Sequence, residues 1–150
     1  MTTIATDGKI VAADTLGCYG SERINAEITK IRRRHGRIYA AAGYAALIDP
    51  LIEWHNAGAD PDKAPKPPAN QYWSILVIDG AKMLFFTSEV PYPDEVWPPF
   101  ALGAGADHAM GAMWAGKPPD EAVKICCERL THTGGSVQVV EIEAQAIAAK

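Results

Sequence analysis

The sequence predicts an α+β protein in which helices cover antiparallel sheets. Short β-branched runs separated by Asp-Gly turns open the chain, which is typical of β-hairpins. Helical periodicity first appears after residue 43, and an alternating run returns near residue 140. The predicted order begins with strands, continues with helices and ends with a strand. This order favours two stacked sheets with helices packed on their outer faces. We therefore expect a four-layer αββα sandwich of two antiparallel sheets.

Seven strands are predicted, six of them in hairpins. The hairpins join residues 2–6 to 9–13, 27–33 to 37–42, and 72–78 to 82–87. Asp7-Gly8 and Asp79-Gly80 supply the first and third turns, because glycine readily takes the left-handed conformation that two-residue turns need. Alternating polar and apolar residues predict the seventh strand over 136–143.

Three helices are predicted. The first follows Gly43, but Pro50 leaves two alternatives, because proline is accommodated only in a first turn. Either Asp49 caps a helix that begins at Pro50, or a helix from Ala45 is kinked there, and in both cases it ends near Gly58. The other two helices cover residues 107–115 and 119–131.

Two proline-rich stretches, residues 58–70 and 89–99, have no apolar period and predict irregular connections. Trp73 and Trp97 lie near these prolines and are predicted to be exposed, where they would suit a subunit interface. No repeat or composition shift divides the chain. We expect one domain over residues 1–150.

The composition excludes several classes of partner. The chain has 150 residues, of which 48% are hydrophobic, and a formal net charge of −4. Nucleic acid is not expected, because binding a phosphate backbone needs a basic surface. The apolar runs are shorter than the roughly 18 residues of a membrane span, and no signal segment opens the chain. We expect no membrane partner and a cytoplasmic location.

Neither a metal nor a cofactor is expected. The four histidines show no paired helical spacing and no neighbouring cysteine pair. The glycine-rich run 103–105 reaches His108 where a dinucleotide motif would have its third glycine. Cys18, Cys126 and Cys127 are an odd number, which indicates reduced thiols, and the adjacent pair is predicted to pack within its helix.

Four landmarks stand at predicted strand ends or on strands: Thr2, Asp14, Lys30 and Gly43. Taken singly, each has a simpler interpretation: a turn residue, a solvated basic face or a plain strand-to-helix turn. Together they resemble the β-type subunits of the proteasome family, in particular the bacterial HslV-type peptidase that partners a ring ATPase. The resemblance implies the N-terminal nucleophile (Ntn) hydrolase fold over nearly the whole chain.

The resemblance implies that Thr2 is both nucleophile and base. A threonine hydroxyl is a weak nucleophile without a base, and a free α-amine, with a pKa of about 7.7 to 8, is a suitable one. Thr2 carries both groups once Met1 has been removed, and methionine before a small residue is ordinarily removed. Enzyme activity is therefore expected on condition that Met1 is cleaved.

The same resemblance assigns the supporting residues. Lys30 would stabilise the alkoxide, Asp14 would be its counterion, and the Gly43 N–H would donate to the oxyanion. Thr133 would replace a serine hydroxyl of the family. The chain departs from the family pattern at Ala104, where a serine is usual, and at Leu130, where an aspartate is frequent. The connector 58–70 stands where longer members have a second helix.

The predicted function is that of a threonine endopeptidase subunit in a homo-oligomeric ring, acting on peptides or unfolded protein with a ring ATPase as partner. Two alternatives remain open. One is a catalytically silent structural subunit that keeps the fold and the ring. The other is a different Ntn hydrolase that acts on small amides.

Overall fold

The computed structural model describes residues 2–143, which form eleven strands and three α-helices. Met1, on whose removal the expected activity depends, lies outside the described residues. The strands are β1 Thr3–Thr6, β2 Ile10–Asp14, β3 Leu16–Tyr19, β4 Glu22–Glu27, β5 Ile31–Arg34, β6 Arg37–Gly43, β7 Trp73–Asp79, β8 Lys82–Thr87, β9 Asp94–Val96, β10 Phe100–Gly103 and β11 Val137–Glu141. The helices are α1 Ile48–Asn56, α2 Ala106–Trp114 and α3 Pro119–Arg129, and 3₁₀ turns cover Ala45–Leu47 and Pro61–Lys63.

The strands form two large antiparallel sheets and one small one. The four-stranded sheet has the order β10-β1-β2-β11, and the five-stranded sheet has the order β5-β6-β7-β8-β9. The small sheet is the hairpin β3-β4, in which β4 is exposed throughout. Because β1 pairs with β2 and β10, the first described residues are tied to both halves of the chain.

Alternation along the strands produces four layers. In β6, Ile38 and Ala40 belong to the core between the two large sheets, whereas Tyr39 and Ala41 face α1. The four-stranded sheet likewise presents Ala5 of β1 to α2 and α3. Successive side chains of a strand point to opposite faces, so each large sheet has a helical and a sheet-facing side. The predicted αββα sandwich is confirmed.

Helix α1 follows neither alternative left by the sequence. It begins at Ile48, directly after the 3₁₀ turn, and Pro50 lies in its first turn, where the proline's missing N–H costs no helical hydrogen bond. The helix ends at Asn56, close to the predicted Gly58. The connector that follows contains only the short 3₁₀ turn between α1 and β7.

The predictions differ from the structure in several details. Residues 27–33 do not form one strand, because β4 ends at Glu27 and β5 begins at Ile31. Residues 16–19 and 89–99 contain β3 and β9, which were not predicted, and β10 follows at Phe100. Trp73 was predicted to be exposed, but it is buried against α1, where its indole N–H donates to the Pro65 carbonyl at 2.7 Å.

Within the described residues, no helix is both long and apolar enough to cross a bilayer.

Candidate active site

Asp14, the last residue of β2, is a buried hub of hydrogen bonds. Its Oδ1 accepts the Thr3 N–H at 3.0 Å and the Lys30 ammonium at 2.9 Å. Its Oδ2 accepts the N–H groups of Leu16 at 3.3 Å and Gly134 at 3.2 Å. Four donors, one of them charged, compensate a carboxylate that is fully removed from solvent. Asp14 thereby joins three separate segments of the chain.

Lys30 lies just before β5 and is buried, with its Nζ 2.9 Å from Asp14. Burial lowers the pKa of the Lys30 ammonium, and the charge of Asp14 and its hydrogen bond oppose that shift. The backbone carbonyl of Lys30 also accepts the Ala41 N–H at 3.1 Å, which extends the β5-β6 ladder by one residue. Lys30 is thus held by both its side chain and its backbone.

Gly43 ends β6 in a conformation that requires glycine. Its φ is +108°, and a Cβ there would stand 2.1 Å from the Tyr72 carbonyl oxygen. The N–H of Ala41 points toward Lys30, and the N–H of Tyr44 points the other way, to Tyr72 at 3.2 Å. Because N–H directions alternate along a strand, the Gly43 N–H points from β6 in the same direction as the Ala41 N–H. That direction is toward the segment that precedes β5, which includes Lys30.

Thr2 is buried immediately before β1, and its carbonyl oxygen lies against two glycines of the turn that leads into α2. A Cβ at Gly103, whose φ is +92°, would stand 2.1 Å from that oxygen. The Gly105 N–H donates to the same oxygen at 3.5 Å. The glycine-rich run therefore lets the backbone of Thr2 approach the turn closely.

A cavity of about 730 Å³ opens beside these residues, and Thr2, Lys30 and Gly43 all border it. Its walls are the hairpin β3-β4 on one side and residues 68–72 of the connector on the other. Among the described residues of the lining, Lys30 is the one that carries a formal charge at neutral pH, and Asp14 compensates that charge. The cavity therefore suits an uncharged group.

The five site residues predicted from the sequence fall into two sets. Thr2, Lys30 and Gly43 meet at the cavity, with Asp14 behind Lys30. Thr133 is buried away from the cavity lining, and its hydroxyl contacts the Thr3 hydroxyl at 2.8 Å. The Thr133 hydroxyl thus contacts the neighbour of the predicted nucleophile.

Sequence reasoning missed three residues of this region. Thr3 bonds both Asp14 and Thr133, and Gly105 leaves the space that the Thr3 side chain fills. His132, on the turn before Thr133, also borders the cavity. The Thr2-Thr3 repeat and the Gly103-Ala104-Gly105 run were visible signals for the first two. Nothing local in the sequence points to His132.

This arrangement can support acyl transfer once Thr2 carries a free amine. A hydroxyl, a basic amine, a buried ammonium and an outward-facing backbone N–H would then border one cavity. These groups are the ones needed to attack a carbonyl carbon and to stabilise the oxyanion that forms.

Comparison with known proteins finds a shared fold. No protein-family model and no curated protein matches the chain. Two solved structures of BPH from Thiobacillus denitrificans, a bacterial proteasome homologue, match it with a TM-score of 0.67 each. The structure in complex with epoxomicin is 17% identical and covers 95% of this chain and 99% of its own. The other is 18% identical and covers 96% and 99%. The chain has a proteasome-like Ntn hydrolase fold.

Proposed function

We propose that the chain is a threonine peptidase of the proteasome type that hydrolyses peptide bonds with Thr2 after removal of Met1. The observation that carries the proposal is the buried Asp14–Lys30 pair beside a cavity that Thr2, Lys30 and Gly43 all border. A buried ammonium costs several kcal/mol unless it is paired, so a pair at a cavity edge favours a chemical role.

The proposed reaction begins when the Thr2 hydroxyl attacks the peptide carbonyl carbon and its proton passes to the α-amine of the same residue. The Lys30 ammonium stabilises the alkoxide, and its charge disfavours protonation of the amine before attack. The Gly43 N–H donates to the oxyanion of the tetrahedral intermediate. The C–N bond then breaks, the α-ammonium protonates the leaving amine, and water hydrolyses the resulting ester.

The cavity supports a peptide with an uncharged side chain next to the bond that is cleaved. Apolar residues such as Ile24, Ile28 and Ile48 line it, and the described lining includes no carboxylate. A charged side chain would lose its hydration there without gaining a partner. Peptides or unfolded protein segments are therefore the proposed substrates.

The proposal extends to the assembly. The fold shared with a proteasome homologue supports a homo-oligomeric ring, and Trp114 on α2 is 73% exposed, as suits a surface that meets another subunit. A ring ATPase that feeds unfolded protein, as in the HslV type, is the proposed partner, with the cytoplasm as the location.

A silent structural subunit is the second candidate, because Ala104 and Leu130 lack the polar side chains that the family resemblance implies there. A small-amide Ntn hydrolase is the third. All three keep the fold, so only chemistry at Thr2 separates them.

The test is N-terminal sequencing of protein from its native host, followed by reaction with a peptide epoxyketone and intact-mass measurement. An epoxyketone has two electrophilic carbons, which can bond the hydroxyl and the amine of one N-terminal threonine. We expect one adduct on the wild type and on Thr131→Ala, which changes an exposed threonine, but none on Thr2→Ala. Retained Met1 without an adduct would support the silent subunit. Turnover of small amides by a monomer that ignores peptides would support the third candidate.

A further inference from the structure

We propose that the Thr3 and Thr133 hydroxyls form a positioning pair that fixes the Thr2–Thr3 peptide and, through it, the nucleophile. The inference rests on the proposed function of Thr2. It assigns Thr133 a role one residue away from the chemistry, because its hydroxyl contacts Thr3. A threonine peptidase needs its nucleophile held closely, since displacements near 1 Å cost about a hundredfold in rate.

The peptide unit between Thr2 and Thr3 is held at both ends. Its carbonyl oxygen accepts the Gly105 N–H at 3.5 Å, and its N–H donates to Asp14 Oδ1 at 3.0 Å. A peptide is planar, so two bonds on opposite edges restrict its rotation. The Cα of Thr2 is directly attached to this plane and is restrained with it.

The Thr3 side chain adds a third point of attachment. Thr3 and Thr133 are both fully buried, and their hydroxyl oxygens lie 2.8 Å apart across a sequence separation of 130 residues. A β-branched threonine has few χ1 rotamers, so a bond to its hydroxyl also restrains its backbone. The pair therefore fixes the start of β1 against the turn before β11.

That turn is itself anchored to the hub. The Gly134 N–H donates to Asp14 Oδ2 at 3.2 Å, and the Gly134 carbonyl accepts from Thr15 at 3.2 Å and Leu16 at 3.1 Å. Thr133 therefore does not offer its hydroxyl from a mobile loop. The two carboxylate oxygens of Asp14 hold the two threonines in register, one through the Thr3 N–H and one through the residue after Thr133.

Gly105 makes room for the pair. A Cβ at Gly105 would stand 2.0 Å from Thr3 Oγ1, so any larger residue would displace the hydroxyl from its place. The Gly105 carbonyl accepts the Cys126 thiol at 3.6 Å, which ties this turn to α3. The Thr3 hydroxyl thus lies in a closed polar pocket made by β1, α3 and two turns.

The experiment removes each hydroxyl while keeping the side-chain shape. Thr3→Val and Thr133→Val are compared with Thr3→Ser and Thr133→Ser, which restore a hydroxyl. Thr6→Val is the matched control, because Thr6 is a buried threonine of the same strand whose hydroxyl donates to the Ile10 carbonyl at 2.7 Å. Peptide hydrolysis, epoxyketone labelling and thermal unfolding are measured for these five variants and for the double variant Thr3→Val with Thr133→Val.

We expect both valine variants at the pair to lower kcat roughly ten- to hundredfold with little change in KM, since substrate contacts remain. The serine variants recover most of the rate. The double valine variant loses no more than the worse single one, because the hydroxyls act as one unit. Thr6→Val lowers the unfolding temperature without changing kcat. Valine variants that lower only the unfolding temperature would overturn the inference.

A second readout does not depend on activity. Hydrogen exchange of the Thr3 amide, followed by NMR, reports whether its bond to Asp14 stays closed. Thr133→Val is expected to speed exchange at Thr3 at least tenfold more than Thr6→Val does. If the wild type is inactive but shows this exchange pattern, the proposed function is wrong and the positioning pair is supported. If the wild type is active and Thr133→Val leaves the exchange unchanged, the positioning pair is wrong and the peptidase function is supported.

Discussion

Two ion pairs have equal lengths and opposite environments, with one cation just before β5 and the other at the start of β6. Lys30 meets Asp14 at 2.9 Å, with side chains 4% and 0% exposed. Arg37 meets Asp79 at the same 2.9 Å, with side chains 28% and 52% exposed. The two cations stand seven positions apart in a run of basic residues. The first borders the cavity, whereas the second remains in water where β6 begins and β7 ends.

The difference shows that distance alone does not give the energy of a charge pair. An exposed pair contributes about 0 to 1 kcal/mol, because water screens both charges and the side chains lose entropy. A buried pair is costly to assemble and costly to break, because each partner would be left without hydration. The buried ion pair therefore lies at the candidate site, whereas the Arg37–Asp79 pair lies on the surface.

The largest expected effect comes from breaking each pair in turn. Lys30→Met leaves the Asp14 carboxylate buried without its cation, and we expect the free energy of unfolding to fall by about 3 to 5 kcal/mol. Arg37→Met should lower it by about 1 kcal/mol or less. Urea unfolding measures both. The double variant Lys30→Met with Asp14→Asn should regain part of the stability but no peptidase activity. Equal losses in the two single variants would refute the contrast.

The next largest effect is expected from substituting two glycines, Gly36 in the turn before β6 and Gly43 at the end of β6. Gly36, with φ +74°, has open space around a Cβ, so Gly36→Ala should cost about 1 to 2 kcal/mol of backbone strain alone. Gly43→Ala adds a clash with the Tyr72 carbonyl, and we expect a loss of about 2 to 4 kcal/mol together with most of the epoxyketone labelling. Chemical unfolding and the labelling rate are the measurements. A Gly43→Ala protein that labels normally would show that the clash with Tyr72 does not move the residue 43 N–H away from the site.

The smallest effect is a dependence of stability on pH near the buried hub. Burial, with the Asp14 charge, raises the pKa of the Cys127 thiol to about 11 from an unfolded value of 9.0. Between these values the unfolded chain releases the proton first, so this contribution to stability is complete below pH 9 and is lost toward pH 11. Lys30 acts with the opposite sign, because its pKa is lowered and its penalty is relieved as pH rises.

The measurement is therefore the difference between wild type and Cys127→Ala in urea unfolding at pH 8, 9.5 and 11. The wild type should lose more stability than the variant across this range. Parallel curves would show that the thiol does not couple to folding.

The sequence predicts β1 and β2 well because Asp7-Gly8 lies between two short β-branched runs, which is a strong signal of a β-hairpin. It fails at β4, whose side chains are all exposed and so carry no apolar alternation. It also fails at β10, a four-residue strand that exists because β1 offers it an edge. Short strands that depend on a distant partner leave little local signal.

In the candidate site, too, contacts between distant residues could not be predicted from the local sequence. Asp14 and Lys30 were predicted through the family resemblance and their strand positions, and the structure joins them. The contact between Thr3 and Thr133 spans 130 residues and was not foreseen. No helical or strand period relates such positions, because only the packing of β1 against the turn before β11 brings them together.

The four donors on Asp14 also tie the site to the completion of the fold. The Gly134 N–H comes from a segment 120 residues after Asp14, yet it donates to one oxygen of that carboxylate. A partly folded chain in which this turn has not packed against β2 leaves Asp14 Oδ2 with one donor fewer. Opening of the four-stranded sheet at β11 would therefore weaken the hydrogen bonding of the carboxylate that pairs with Lys30.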